Sequence, residues 1–309
     1  MEGAVIRLLA TRLVQIVLVT ALLSFAAFLL IGLMPGDPIE MAIAGDPRLS
    51  SEDAARLRAL HGLDQPLMAR YLAWAGGVLE GRFGHSRLFA LPVAALLWPA
   101  LAGTLELLGL ALLLAAGLGV GLGALAALRP ALAPLVQGLA LFAQAVPAFW
   151  LGMLLIILFA VHLGWLPAGG AEGGWRALVL PVATLAFANL AAYARHAAAA
   201  LAAALAEPHI RTARARGAGE GRVLFRHALP NAAVPLLTIA ALDAGALVSG
   251  ALIAETVFAR PGMGKLIYDA VMGNDFNLAL IALLVVAVVT MLATLMADLA
   301  QRWLDPRLA

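Results

Sequence analysis

Six stretches of about 20 residues or more in this 309-residue chain run almost without charge, and that is the length a helix needs to cross the hydrocarbon of a bilayer. Residues 14–34, 131–161 and 276–297 hold no charged side chain at all. Residues 96–128 contain only Glu106, residues 228–254 only Asp243, and residues 177–206 are interrupted by Arg195 and His196. Lipid offers no hydrogen bonds to a backbone, so a run of this kind spans as a helix that satisfies its own polar groups. The sequence therefore predicts an all-α polytopic membrane protein of six transmembrane helices, with both termini on one side. Composition agrees: 63% of residues are hydrophobic and the mean hydropathy is +0.97, against roughly 45–50% apolar content in soluble domains.

The chain divides into an N-terminal helix (1–34), a charged segment before the second span (35–95) and a core of five spans (96–309) that contains a polar loop at 207–230. A cleaved leader is the competing reading of the first span, because Ala42, Ile43 and Ala44 form a small-residue site. The first apolar run exceeds the ~7–15 residues of a leader, and Pro35, Gly36, Asp37 and Pro38 intervene, so the span is retained as a helix. In 35–95, acidic and basic residues mix from Asp46 to Arg70, and Leu57, Leu60 and Leu63 recur at helical intervals. This segment reads as a small folded cap.

The loop 207–230, EPHIRTARARGAGEGRVLFRHALP, sets five arginines and three spaced glycines between two apolar spans. Pro208 suits the first turn of a helix and Glu207 its positive end. Ile210 and Ala213 share one face, with Arg211, Arg214 and Arg216 on the remainder. That is a short amphipathic surface helix. Gly217, Gly219 and Gly221 break the pattern, and a second helix from Arg222 leads through Leu229 and Pro230 into the next span.

The spacing resembles the cytoplasmic EAA loop of ABC importer permeases. Arg211, Thr212 and Ala213 stand at its opening triplet, Gly217 at its glycine, and Leu229 and Pro230 at its close; Arg211 and His227 depart from the usual acidic residue and Ile. IRTARARG followed by VLFRHALPNAAVP is similar to the dipeptide and oligopeptide branch of that family, which also includes nickel permeases. Gly62, Leu63, Asp64, Pro66, Leu67 and Tyr71, then Glu255 to Phe258 with Arg260 to Gly264, and finally Leu304 to Arg307 extend the likeness. An expected Asp near Arg82 is missing, and Ala293 stands where the family has Asn, with Asp298 at an acidic position.

The resemblance implies a type I ABC importer fold and a permease subunit that forms a pathway for di- or oligopeptides. It implies a second homologous permease, as a heterodimer, two ATP-binding subunits that carry ATP and Mg, and an extracytoplasmic substrate-binding protein. Coupling to the ATPase would fall to Arg211, Thr212, Ala213, Arg214, Arg216, Gly217, Leu229 and Pro230. The cap is either a docking surface for the binding protein or a structural cover. Nickel chelates and glutathione-like compounds are alternative cargo; an ion-coupled carrier using Asp243 and Glu106 is the rival from another class, though no inverted repeat is visible.

Counting basic residues by side gives the orientation in a bacterial inner membrane. With the N-terminus inside, Arg7, Arg12, Arg129, Arg195, the five loop arginines, Arg302 and Arg307 are cytoplasmic, against Arg176, Arg260 and Lys265 in short outer loops. Within the spans, Asp243 and Glu106 either line the pathway or pack between helices, as do Asn189 and Tyr193, four apart on one face. Gly117, Gly119, Gly121 and Gly123 predict close helix contact, and Pro134 and Pro147 predict a kink in the third span. No catalytic motif emerges. Gly262 to Lys265 fails as a phosphate loop because Ala259 and Leu266 occupy its other positions, and no H-E-x-x-H or G-x-S-x-G occurs. The chain has no cysteine, so thiolate metal sites and disulfides are excluded; no cofactor is expected on it, nor nucleic acid as partner at a net charge of +2.

Overall fold

A computed structural model describes residues 2–32 and 65–304. The cleavage-like site at 42–44, Leu57, Leu60, the Gly62-Leu63-Asp64 motif and residues 305–307 lie outside the described residues, as does the side chain of Asp243. Helix α1 (Glu2–Gly32) is followed by α2 (Leu67–Leu79), α3 (Val93–Leu128), a 3-10 turn (Pro130–Leu132), α4 (Ala133–Ala145) and α5 (Ala148–Leu155), which runs on as a π-helical turn, Ile156–His162. Next come α6 (Trp175–Ala206) and the short α7 (Pro208–Ala215). A helical turn (Glu220–Arg222) and a π-helical stretch (Val223–Ala228) lead into α8 (Leu229–Val257), then α9 (Met263–Met272) and α10 (Phe276–Leu304).

Among the described residues α1, α3, α6 and α10 are long and apolar enough to cross a membrane. Helix α8, with 29 residues, has the length to do so at about 1.5 Å per residue. The expected third span differs from a single kinked rod: Pro130–Ala145 and Ala148–His162 meet at 95°. Proline explains where the chain breaks. Pro147 disfavours helical geometry in the residue before it, and Val146 is extended at φ −81°, ψ 120°. Pro134 sits in the first turn of α4, where a missing N–H costs nothing, and bends nothing.

The centre of the molecule is α3 against α6. A Cβ on Gly119 would collide with Tyr193, and one on Gly123 with Ala197, whereas Gly117 and Gly121 face open space. Two of the four glycines therefore carry the close approach that four were expected to share. Helix α1 closes the bundle against α10, where Arg12 pairs with Asp298 at 2.6 Å. That contact places the start of the first helix and the end of the last at the same end of the molecule. Tyr71 on α2 binds Ser24 at 2.8 Å and stacks edge-on against Phe25 and Phe28, tying the described part of the cap to α1.

Candidate functional site

The arginine-rich loop forms the helix, turn and helix its residues predict. Glu207 is extended at the N-cap and Pro208 opens α7. Ile210 is fully buried, while Arg211, Arg214 and Arg216 are exposed and Thr212 bonds back to the Pro208 carbonyl at 3.2 Å. Gly217 adopts φ +82°, and the amides of Gly217 and Ala218 donate to the carbonyls of Arg214 and Ala213 at 2.9 and 3.1 Å. This is a Schellman closure, which demands a left-handed residue and so favours glycine. Gly219 is extended ahead of the next helical turn. Gly221, expected to interrupt the helix, lies within that turn, which starts at Glu220 rather than Arg222.

One ion pair spans the turn. Arg214 donates to Glu220 through Nε at 2.9 Å and Nη2 at 3.0 Å. The hydrogen bond raises the Arg214 pKa and holds the Glu220 carboxyl below its ordinary value. Below α7, Val223, Leu224 and Ala228 are buried, and Leu224 and Ala228 join a core with Ala197, Leu201, Ala204, Ala232 and Leu236. Ala127 and Leu128 of α3 pack against the same core. The loop is thus keyed by its apolar face to the ends of α3, α6 and α8, with its cationic face open. Leu229 is half-buried at the start of α8 and Pro230 is exposed in its first turn, where the lost N–H is tolerated.

At the opposite end of α8 the ETVFARPGMG segment folds back on α3. Glu255 is fully buried and accepts from Thr104 Oγ1 at 2.5 Å and the Lys265 amide at 3.0 Å. Thr104 Oγ1 in turn accepts from the Met263 amide at 2.8 Å. Arg260, 7% exposed, reaches Glu106 at 2.7 Å. A Cβ on Gly262 would strike the Glu255 carboxylate, and one on Gly264 the backbone of Leu252.

Among the described residues, the predicted polar residues of the spans are thus not gathered in one place. Glu106, well inside α3 (Val93–Leu128), is paired with Arg260. Asn189 is half-buried and donates to the Leu185 carbonyl of its own helix at 2.9 Å. Tyr193 is 1% exposed and packs with Ala115 and Ala186, so it fills the space between helices. Arg195, in the half of α6 nearer the loop, donates through Nη1 to Gln144 Oε1 at 2.9 Å. Sequence reading missed that pair and the Thr104–Glu255 contact. The signal for the first was Gln137 and Gln144, seven apart on one face of an otherwise apolar helix.

Comparison with known proteins agrees with this layout. Residues 119–309 match the family model described as binding-protein-dependent transport system inner membrane component, and residues 5–90 match the N-terminal model of such membrane components. A probable peptide ABC transporter permease of Sinorhizobium fredii is 36% identical over 96% of this chain and 97% of its own length. An oligopeptide transport system permease of Bacillus subtilis is 33% identical over 93% of this chain and 94% of its own. A probable D,D-dipeptide transport system permease of Escherichia coli is 35% identical, covering 95% and 94%. Among solved structures, an inward-facing MetNI methionine ABC transporter superposes with a TM-score of 0.58 at 21% identity, covering 69% of this chain and 98% of the matched one; that likeness bears on the fold alone. A surface helix seated on three span ends, the apolar helices behind it and the two matched models lead to one conclusion: the chain belongs to the family of inner membrane components of binding-protein-dependent transport systems.

Proposed function

We propose that this chain is the peptide-conducting permease subunit of an ATP-driven importer, coupled to separate ATPase subunits through α7. The observation that carries the coupling is the seating of α7: buried Ile210 on one side, three exposed arginines on the other, and a glycine closure that fixes the turn. A helix held in this way moves as one body with α6 and α8, so closure of a nucleotide-bound partner beneath it would tilt those spans. Ala213, on the inner side of α7, and Leu229, at the start of α8, form the hinge side of the lever. Arg211, Thr212, Arg214 and Arg216 present hydrogen-bond donors to the partner's groove. ATP and Mg belong to the two ATP-binding subunits, where hydrolysis takes place.

Peptide cargo is supported by the names of the three curated relatives. A second, homologous permease completes the pathway as a heterodimer, and a soluble binding protein docks at the end that carries Tyr71 and the ETVFARPGMG segment. Placing α7 in the cytoplasm, with both termini, follows from the basic residues of the loop and the chain ends.

The test is co-purification with the encoded ATPase subunits, followed by ATP-driven uptake of a labelled dipeptide in proteoliposomes. Gly217→Asp, which puts a side chain at φ +82°, and Arg214→Glu are expected to lose both. Intact uptake in both variants would sink the coupling role of the loop and bring the ion-coupled carrier back into consideration.

A further inference from the structure

A cleft of about 300 Å³ lies between the first turns of α3 and the helix α9, at the end of the molecule away from α7. That volume is at the lower end of the range for small-molecule sites, and none of the residues assigned above to coupling or to the pathway lines it. Phe89, Leu96, Pro99, Pro261 and Leu266 give it apolar walls. Its shape is set by contacts beneath those walls. Pro261 lies tight against α3, where a Cβ on Gly103 would strike the Pro261 carbonyl at 2.6 Å, and Leu266 shares a buried core with Leu97, Ala100 and Met263. The turn that carries Phe89 is pinned to Asp275, which is 3% exposed and accepts from Ser86 Oγ at 2.5 Å and from the Leu88 amide at 3.0 Å.

Three polar groups belong to this apolar lining. Lys265 and Asp269, both half-buried, pair at 2.6 Å across one turn of α9. Among the described residues that pair is the only side-chain bond either makes, so two of the three N–H donors of the ammonium stay free and Asp269 Oδ1 has no donor. The third group is the Ala95 carbonyl. Ala95 lines the cleft together with Pro99, four residues on, and proline has no N–H for the i→i−4 bond, so that carbonyl lacks its ordinary helical donor. The cleft therefore combines two open acceptors, one of them anionic, with two open donors on a cation. The ligand that matches carries an ammonium, a carbonyl and an apolar group close together. The N-terminal residue of a peptide is such a unit, because its α-carbon bears all three.

We propose that the cleft between α3 and α9 receives the N-terminal residue of a peptide: Asp269 and the Ala95 carbonyl take its ammonium, Lys265 its first carbonyl, and the apolar walls its side chain. This rests on the peptide-importer reading above, and it puts a contact for cargo at the end where that reading puts the binding protein. The ammonium and carbonyl are common to unmodified linear peptides and bind by charge-assisted hydrogen bonds. Burial of the first side chain adds a preference for apolar residues at that position.

The experiment uses the complete permease–ATPase complex in nanodiscs, without binding protein, and measures equilibrium binding of Leu-Ala, N-acetyl-Leu-Ala and Leu-Ala amide. The wild type is expected to bind Leu-Ala about tenfold more tightly than the acetylated form and within about twofold of the amide. Asp269→Asn is expected to bring Leu-Ala and the acetylated form within about twofold. Location is read separately. The chain has no cysteine, so Ala95→Cys gives it a single thiol at an exposed position of the cleft wall, which Leu-Ala is expected to protect from N-ethylmaleimide and the acetylated peptide is not. Equal affinity for free and acetylated peptide in the wild type, a preference undiminished in Asp269→Asn, dependence on the C-terminal carboxylate instead, or a thiol left unprotected by Leu-Ala each overturns the site. ATP-driven uptake of Leu-Ala by the wild type, with binding protein, is read in parallel: uptake alongside any of those results sinks the site alone, while no uptake sinks the importer reading beneath it.

Discussion

A carboxylate as fully enclosed as Glu255 is tolerable only with its oxygens engaged, and Thr104 is the side chain that engages both Glu255 and the Met263 amide. Thr104→Val keeps the shape and removes the hydroxyl, stranding a buried acceptor and a buried donor. It is expected to destabilise the protein by roughly 1–3 kcal/mol, seen as a lower thermal midpoint of the purified protein, with Thr104→Ser close to wild type. Arg214 and Glu220 make the opposite case, because both are exposed and their pair is screened by water. Glu220 has its pKa lowered in the folded loop from an ordinary value of 4.5, so its contribution is present above that value and lost as pH falls through the lowered one. Amide exchange across 208–222 is expected to be flat from neutral pH down to about 5 after correction for the intrinsic rate, and to accelerate only below 4.5. Glu220→Gln should abolish that acceleration. Of these residues, the loop arginines were legible from sequence because their charge interrupts an apolar background. Thr104 was not, since a threonine in a span looks the same whether it serves its own helix or a group 151 positions away.

At the scale of the elements, glycine content alone predicted close packing and the tertiary contact decided which glycines supply it. Gly119 and Gly123 face the backbone of α6, and Gly117 and Gly121 face nothing within 4 Å. Gly119→Val or Gly123→Val is therefore expected to overpack the α3–α6 seam at a cost of about 1–3 kcal/mol or more. Gly117→Ala and Gly121→Ala should be neutral or stabilising by up to ~1 kcal/mol, the difference in helix propensity. Thermal unfolding of the four variants separates the pairs, and equal effects would contradict the packing described. Helix existence was readable throughout, because a run of about 20 apolar residues has few alternatives in lipid. The 95° break was only half readable: Pro147 announced a disruption, but its angle depends on what α4 and α5 pack against. Helix α7 was read almost completely, since proline, the spaced arginines and Gly217 are local signals that act within a turn or two of themselves.

On the scale of the whole molecule, Arg12 and Asp298 bring opposite ends of the chain together at 2.6 Å. Reversing either charge is expected to lower the thermal midpoint by the equivalent of about 1 kcal/mol, and the double reversal Arg12→Asp with Asp298→Arg to recover most of it; no recovery would mean that the two act separately. Asp298 was noticed in the sequence only as an acidic residue at a family position, and its partner was not in view. By itself the sequence determined the class of solvent, the helical character of the spans, the amphipathic loop helix and the family likeness, because each is set by residues near one another in the chain. Tertiary structure alone decided that Glu106 meets Arg260, that Tyr193 is core, that two glycines of four are in contact and that Arg195 stands beside Gln144 at a helix break. Those pairings join residues dozens to more than a hundred positions apart, and which distant residues meet is a property of how the helices pack, which local periodicity does not encode.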